Sequence, residues 1–222
     1  INMQTTSSSV MNDIKEVFRC KEAMLVCILG GLMIGPLEGF SDVWGKEFLQ
    51  HAYGFDSTVA ASLPSVIFIA MCFGAPILSY IAVKTKDDVL TIFGAGLLMA
   101  ISFILLLFAD LNASVISLVF SIIGVCCGYQ TIVIYKASTY VREGLLGLTT
   151  AVANMIMMLF GYAFHSIIGL VVSLCQDRTP AEAFTYGIAA VPAALCIGAV
   201  GFLFIYWREG QGELAVNNLP SH

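Results

Sequence analysis

Hydrophobic positions in this chain come in long unbroken runs rather than in the alternating or one-face pattern of elements that are half exposed to water. Charged residues are bunched, and between the bunches lie uncharged stretches at residues 57–83, 89–109, 111–135, 144–176 and 183–207. Each exceeds the roughly 20 residues that a helix needs to cross a bilayer core. A first segment is less clean: only residues 23–37 are uncharged, and a span there must continue through Glu38 towards Trp44. The pattern predicts six transmembrane helices, at about residues 23–44, 57–83, 89–109, 111–135, 144–174 and 183–207, in an all-α membrane protein. Strands of a membrane barrel would read as short alternating segments, and none is present in the sequence.

Composition agrees, with 59% hydrophobic and 11% charged residues in 222 and a mean hydropathy of +0.90. Too little polar material exists to cover a soluble globule of this size. Residues 1–22 read as a polar linker followed by an amphipathic lead-in, "NDIKEVFRCKEA", with Ile14, Val17 and Phe18 on one side. Residues 208–222 read as a hydrophilic cytoplasmic tail. The first residue is Ile1 and the opening is polar and unbasic, which predicts a piece of a longer protein and no signal peptide.

Basic residues set the expected orientation, because short loops rich in Lys and Arg stay in the cytoplasm. With both termini inside, the inner face holds Lys15, Arg19, Lys21, Lys84, Lys86, Lys136, Arg142 and Arg208, and the outer face only Lys46 and Arg178. The expected location is the bacterial inner membrane, with Trp44 and Trp207 as anchors at span ends. The net charge of -5 comes without a basic patch, so no nucleic-acid partner is expected. The cysteines show no CxxC spacing, and neither a metal nor a cofactor is expected. In "KTKDD", at residues 84–88, Asp87 or Asp88 falls at the start of the third span as its cap.

Candidate chemistry starts in the first span, "GGLMIGPLEGFSDVWGKEF". Glu38 and Asp42 are one helical turn apart, and Glu38 lies roughly 22 Å along the helix from Ala23, within the outer part of the hydrocarbon. An ionisable group at that depth marks a substrate or proton pathway by default; the alternative is that the span ends early and both acids are solvated. Gly31, Gly35 and Gly39 recur every four residues, as do Gly124 and Gly128 in the fourth span. Such stripes serve close helix packing or the flexing of a moving helix, and Pro36 adds a bend. Gly or Pro interruption in the leading helix of each triplet is what two inverted three-helix repeats would show. Tyr129 and Gln130 in the fourth span, and Asn154 and His165 in the fifth, are polar groups suited either to substrate contact or to interhelix hydrogen bonding. The Met155, Met157 and Met158 group reads as packing. No enzymatic motif stands out: Ser41 is followed by Asp42 rather than by the glycine of an intramembrane serine protease.

These pieces resemble the carboxy-terminal six-helix half of a major facilitator superfamily transporter. The likeness extends over most of residues 15–207, through the glycine-rich first helix with "EGFSDVWG", the basic turn after the second, "GVCCGYQ" in the fourth and "GLTTAVANMIMMLFG" in the fifth. "EGFSDVWG" and "GYQ" look most like the branch of phagosomal nutrient transporters of intracellular bacteria. The superfamily's loop motif G-x-x-x-D-R-x-G-x-R is decayed in "SYIAVKTKDD", where Lys84 keeps a basic position but Val83 replaces the acid and Asp88 the last base. The resemblance implies a twelve-helix, proton-coupled carrier working by alternating access, with an amino-terminal six-helix half as partner and a small polar metabolite and protons as cargo. In that scheme the first and fourth helices line the cavity, and residues such as Glu38, Tyr129 and Gln130 touch the substrate, with Asp42 the second protonatable candidate after Glu38. The competing expectation is a stand-alone six-helix module or channel-like homodimer.

Overall fold

A computed structural model describes residues 7–175 and 177–217; the expected linker at 1–6 and the end of the expected tail at 218–222 lie outside the described residues. Among the described residues every regular element is a helix. Six helical stretches are long and apolar enough to cross a membrane: Lys21–Tyr53, Ser57–Thr85, Asp88–Phe108, Ala113–Ser138, Glu143–Leu174 and Pro180–Gln211.

The ends are set by local chemistry. Asp56, Asp87 and Asn112 cap the second, third and fourth spans, accepting bonds from Thr58 N at 2.7 Å, Leu90 N at 2.8 Å and Val115 N at 3.0 Å. Thr179 and Glu182 close a capping box ahead of Pro180 on the sixth. The first span stops at Gly54, whose φ of 68° is one that glycine adopts freely.

Two expected boundaries differ. The first span does not end near residue 44 but runs to Tyr53, because Gly45, Phe48 and Leu49 keep a buried stripe past Lys46 and Glu47. Trp44 is therefore no terminal anchor: it is half-buried within the bundle. The sixth helix continues beyond residue 207 to Asn217, so the start of the expected tail is helical. Ion pairs hold that extension: Glu209 lies 2.9 Å from Lys136, and Arg208 donates to Glu22 at 3.1 Å. The hydroxyl of Tyr140 also bonds Glu209. Burial, and then this carboxylate, push the Tyr140 phenol well up, so it remains a donor.

The lead-in forms the helix Ser7–Arg19, longer than expected at its start. Val17 enters the core, while Phe18 is exposed. Arg142, in the turn between the fourth and fifth spans, clamps this helix by donating to Glu16 at 3.1 Å and to Asp13.

Helix pairing reveals the internal plan. The first span lies against the fifth, the second against the fourth, the third against the sixth, the first against the sixth and the third against the fourth. Exchanging the first triplet for the second leaves this set unchanged. Short connections make successive spans antiparallel, so the first and fourth run in opposite directions. The architecture is two inverted three-helix repeats.

Glycines form the two equivalent seams. A Cβ on Gly35 would stand 2.6 Å from the backbone carbonyl carbon of Phe160, and one on Gly31 would stand 2.7 Å from its ring. In the other seam Gly124 meets Ile67 and Ala70, while Gly128 lies on the backbone of Gly74 and Ala75. Leading helix thus meets middle helix of the opposite triplet, backbone to backbone, as small residues permit in a membrane.

Candidate functional site

Pro36 lacks the N–H that would bond the carbonyl one turn earlier, and past Gly39 the helix widens into a π-turn at Phe40–Trp44. Phe40 fixes the inner side of this turn. It is fully buried, with ring centroids 5.1 Å from Phe103, 5.8 Å from Phe120 and 6.2 Å from Phe48, all edge-on. Glu38 and Asp42 flank it on the outward side, one half-buried and the other exposed.

Both acids open into a cleft of about 280 Å³ between the first and fifth spans. Its walls are Glu38, Gly39, Asp42 and Val43 on one side and Met158, Gly161, Tyr162 and His165 on the other. The Glu38 carboxylate lies directly over Gly161, in space that a side chain there would fill. Among the described residues it makes no hydrogen bond and no ion pair. Gly39 allows the first span to approach the fifth, since a Cβ there would come within 3.1 Å of the His165 backbone nitrogen. Trp44 locks the outer end: its indole N–H donates to the His165 carbonyl at 3.1 Å, and the two rings meet edge-on at 5.7 Å.

The remaining candidates divide. Asn154 is exposed on the fifth span and shares a stripe, at four-residue spacing, with Met158 and Tyr162. Met158 lines the cleft and Met155 is exposed, so only Met157, buried beside Gly30, serves the packing expected of all three. Tyr129 is fully buried and its hydroxyl donates to the Gly30 carbonyl at 3.1 Å, so it joins the fourth span to the first and does not line the Glu38 cleft. Gln130 is half-buried with an enclosed Nε2 that has no partner among the described residues, and Ser41 Oγ is in the same condition. The structure therefore assembles Glu38, Asp42 and His165 in one cleft, leaves Asn154 further along the same open face and puts Tyr129 in the interior. Gly161 went unnoticed in the sequence because nothing local marks a glycine as the floor beneath an acid of another helix.

The profile of the Major Facilitator Superfamily matches residues 5–166. The chain belongs to the major facilitator superfamily. Its members are membrane transporters rather than enzymes, and the six apolar helices make this a multi-pass membrane protein. No curated protein matches the chain. The leading helix of each triplet is interrupted, by Pro36 and the π-turn in the first span and by the break at Cys127 and Gly128 in the fourth.

Proposed function

We propose that this chain is the carboxy-terminal half of a proton-coupled secondary transporter that moves a small polar metabolite by alternating access, with Glu38 as its protonatable group. The observation that carries the reading is the Glu38 carboxylate, set in a membrane cleft without a counter-charge and resting on Gly161. An acid without a counter-charge inside a membrane is costly unless it serves a pathway for ions or substrate. Coupling follows when the side of the membrane that the cleft faces decides whether Glu38 gains or loses its proton. Asp42 and His165 sit at the rim, and Tyr162 and Asn154 offer hydrogen bonds to a polar cargo along the same face.

The partner in this reading is an amino-terminal six-helix half covering the open side of the second and fifth spans, where Phe68, Ile69, Phe73, Met155, Met158 and Tyr162 are exposed. The basic residues favour cytoplasmic termini and an inner-membrane location, and "EGFSDVWG" with "GYQ" favours the nutrient-carrier branch.

The test is uptake of labelled amino acids, nucleosides and siderophores by full-length carrier in liposomes under an imposed proton gradient. Glu38→Gln is expected to abolish gradient-driven accumulation while substrate exchange at equal pH continues. Unchanged accumulation by E38Q removes Glu38 from the mechanism.

A further inference from the structure

A second cleft, of about 510 Å³, lies at the other flank of the bundle, where the ends of the first and third spans meet the start of the sixth. It shares no lining residue with the Glu38 cleft. Its walls are mostly apolar: Phe48, Leu106, Leu107, Phe108, Ala181 and Ala189. Tyr53 stiffens one wall, its hydroxyl lying 2.6 Å from the Leu106 carbonyl and 3.0 Å from that of Ala109, which closes the end of the third span.

The rim is charged in a particular order. Asp110 lines the cleft immediately beyond the third span, and among the described residues it makes no ion pair. Glu182 also lines it, but its Oε2 is taken by Thr179 at 3.0 Å. Tyr186 lines the cleft as well, and the Arg178 guanidinium stands 5.1 Å over its ring, held there by cation–π attraction. An apolar hollow at a span end thus carries the Asp110 carboxylate in its lining and, over its lining residue Tyr186, a guanidinium. Along the third and sixth spans Ile101, Leu105 and Ile197 are exposed apolar residues.

We infer that this cleft binds a bilayer phospholipid with a primary ammonium headgroup, phosphatidylethanolamine. The phosphate meets Arg178, the ammonium donates to Asp110, and the glycerol end of an acyl chain fills the hollow. A guanidinium suits a phosphate, and a carboxylate takes hydrogen bonds from a primary ammonium that a quaternary one cannot give. An anionic headgroup is disfavoured by the carboxylates of Asp110 and Glu182. Tyr53 and Tyr186 line the site, and such amphipathic rings collect at membrane–water interfaces.

The experiment is native mass spectrometry of the full-length protein released from micelles containing equal amounts of phosphatidylethanolamine, phosphatidylcholine and phosphatidylglycerol with identical acyl chains. Phosphatidylethanolamine adducts are expected to exceed the other two several-fold. Asp110→Asn is expected to erase the preference over phosphatidylcholine, and Arg178→Gln to lower all three. Ala181→Phe, which fills the hollow and leaves the charges in place, is expected to lower all three as well. Soluble glycerophosphoethanolamine at the same concentration is expected to displace nothing. Equal retention of the three lipids by the unaltered protein, a preference untouched by D110N, or displacement by the soluble headgroup overturns the proposal; the first and third of these do not depend on any variant folding.

Discussion

Gly35 and Gly94 both lie within apolar spans, and they are opposite cases. A side chain at Gly35 meets the Phe160 backbone at 2.6 Å, which cannot move aside, whereas a Cβ at Gly94 finds nothing within 4 Å. Gly35→Val is expected to lower stability by about 1–3 kcal/mol through overpacking, and Gly94→Ala to raise it by up to about 1 kcal/mol through helix propensity. Thermal unfolding of the purified protein distinguishes them, and equal shifts would contradict the seam. Which glycines form the seam was legible in the sequence from their four-residue spacing; which helix they meet was not, because spacing describes one helix and says nothing of its neighbour. Tyr129 shows the same limit. Beside Gln130 in an apolar run it looks like a cavity aromatic, and only its bond to the Gly30 carbonyl reveals it as a tie between helices.

At the scale of elements, the amphipathic helix Ser7–Arg19 depends on a single residue of a distant turn. Arg142 is about half-exposed and reaches both Asp13 and Glu16. Exposed pairs contribute little, about 1 kcal/mol or less each after solvent screening, so their loss leaves the bundle standing. Arg142→Gln is expected to speed hydrogen exchange across residues 7–19 while the melting temperature of the bundle stays put; unchanged exchange would mean that Val17 alone secures the helix. The six spans themselves were readable because charges are bunched between them. Their true ends were not, since the stretches at residues 45–53 and 208–217 are polar enough to resemble loops and are kept helical by a buried stripe and by ion pairs that only the assembled bundle supplies. The π-turn at Phe40–Trp44 was equally hidden: Pro36 announces a disturbance but not its form.

For the whole molecule, the open face decides what kind of object this is. Met158 is exposed beside Glu38, and the fifth span needs no larger neighbour there to stay folded. Met158→Trp is expected to change unfolding free energy by no more than about 0.5 kcal/mol, as surface substitutions do, yet to block substrate uptake by the full-length carrier. Uptake at the normal rate would place the transport path elsewhere. The repeat has a further meaning. The first and fourth spans share a backbone plan, glycine seam for glycine seam, but the fourth carries the neutral amide of Gln130 and no carboxylate within its membrane part. The pseudo-axis therefore relates shapes and not charges. In the proposed cycle, a scaffold that by itself looks much the same from either side of the bilayer takes its direction from the carboxylate that its twin helix lacks, and the arrival of a proton on Glu38 is the event that tells the two sides apart.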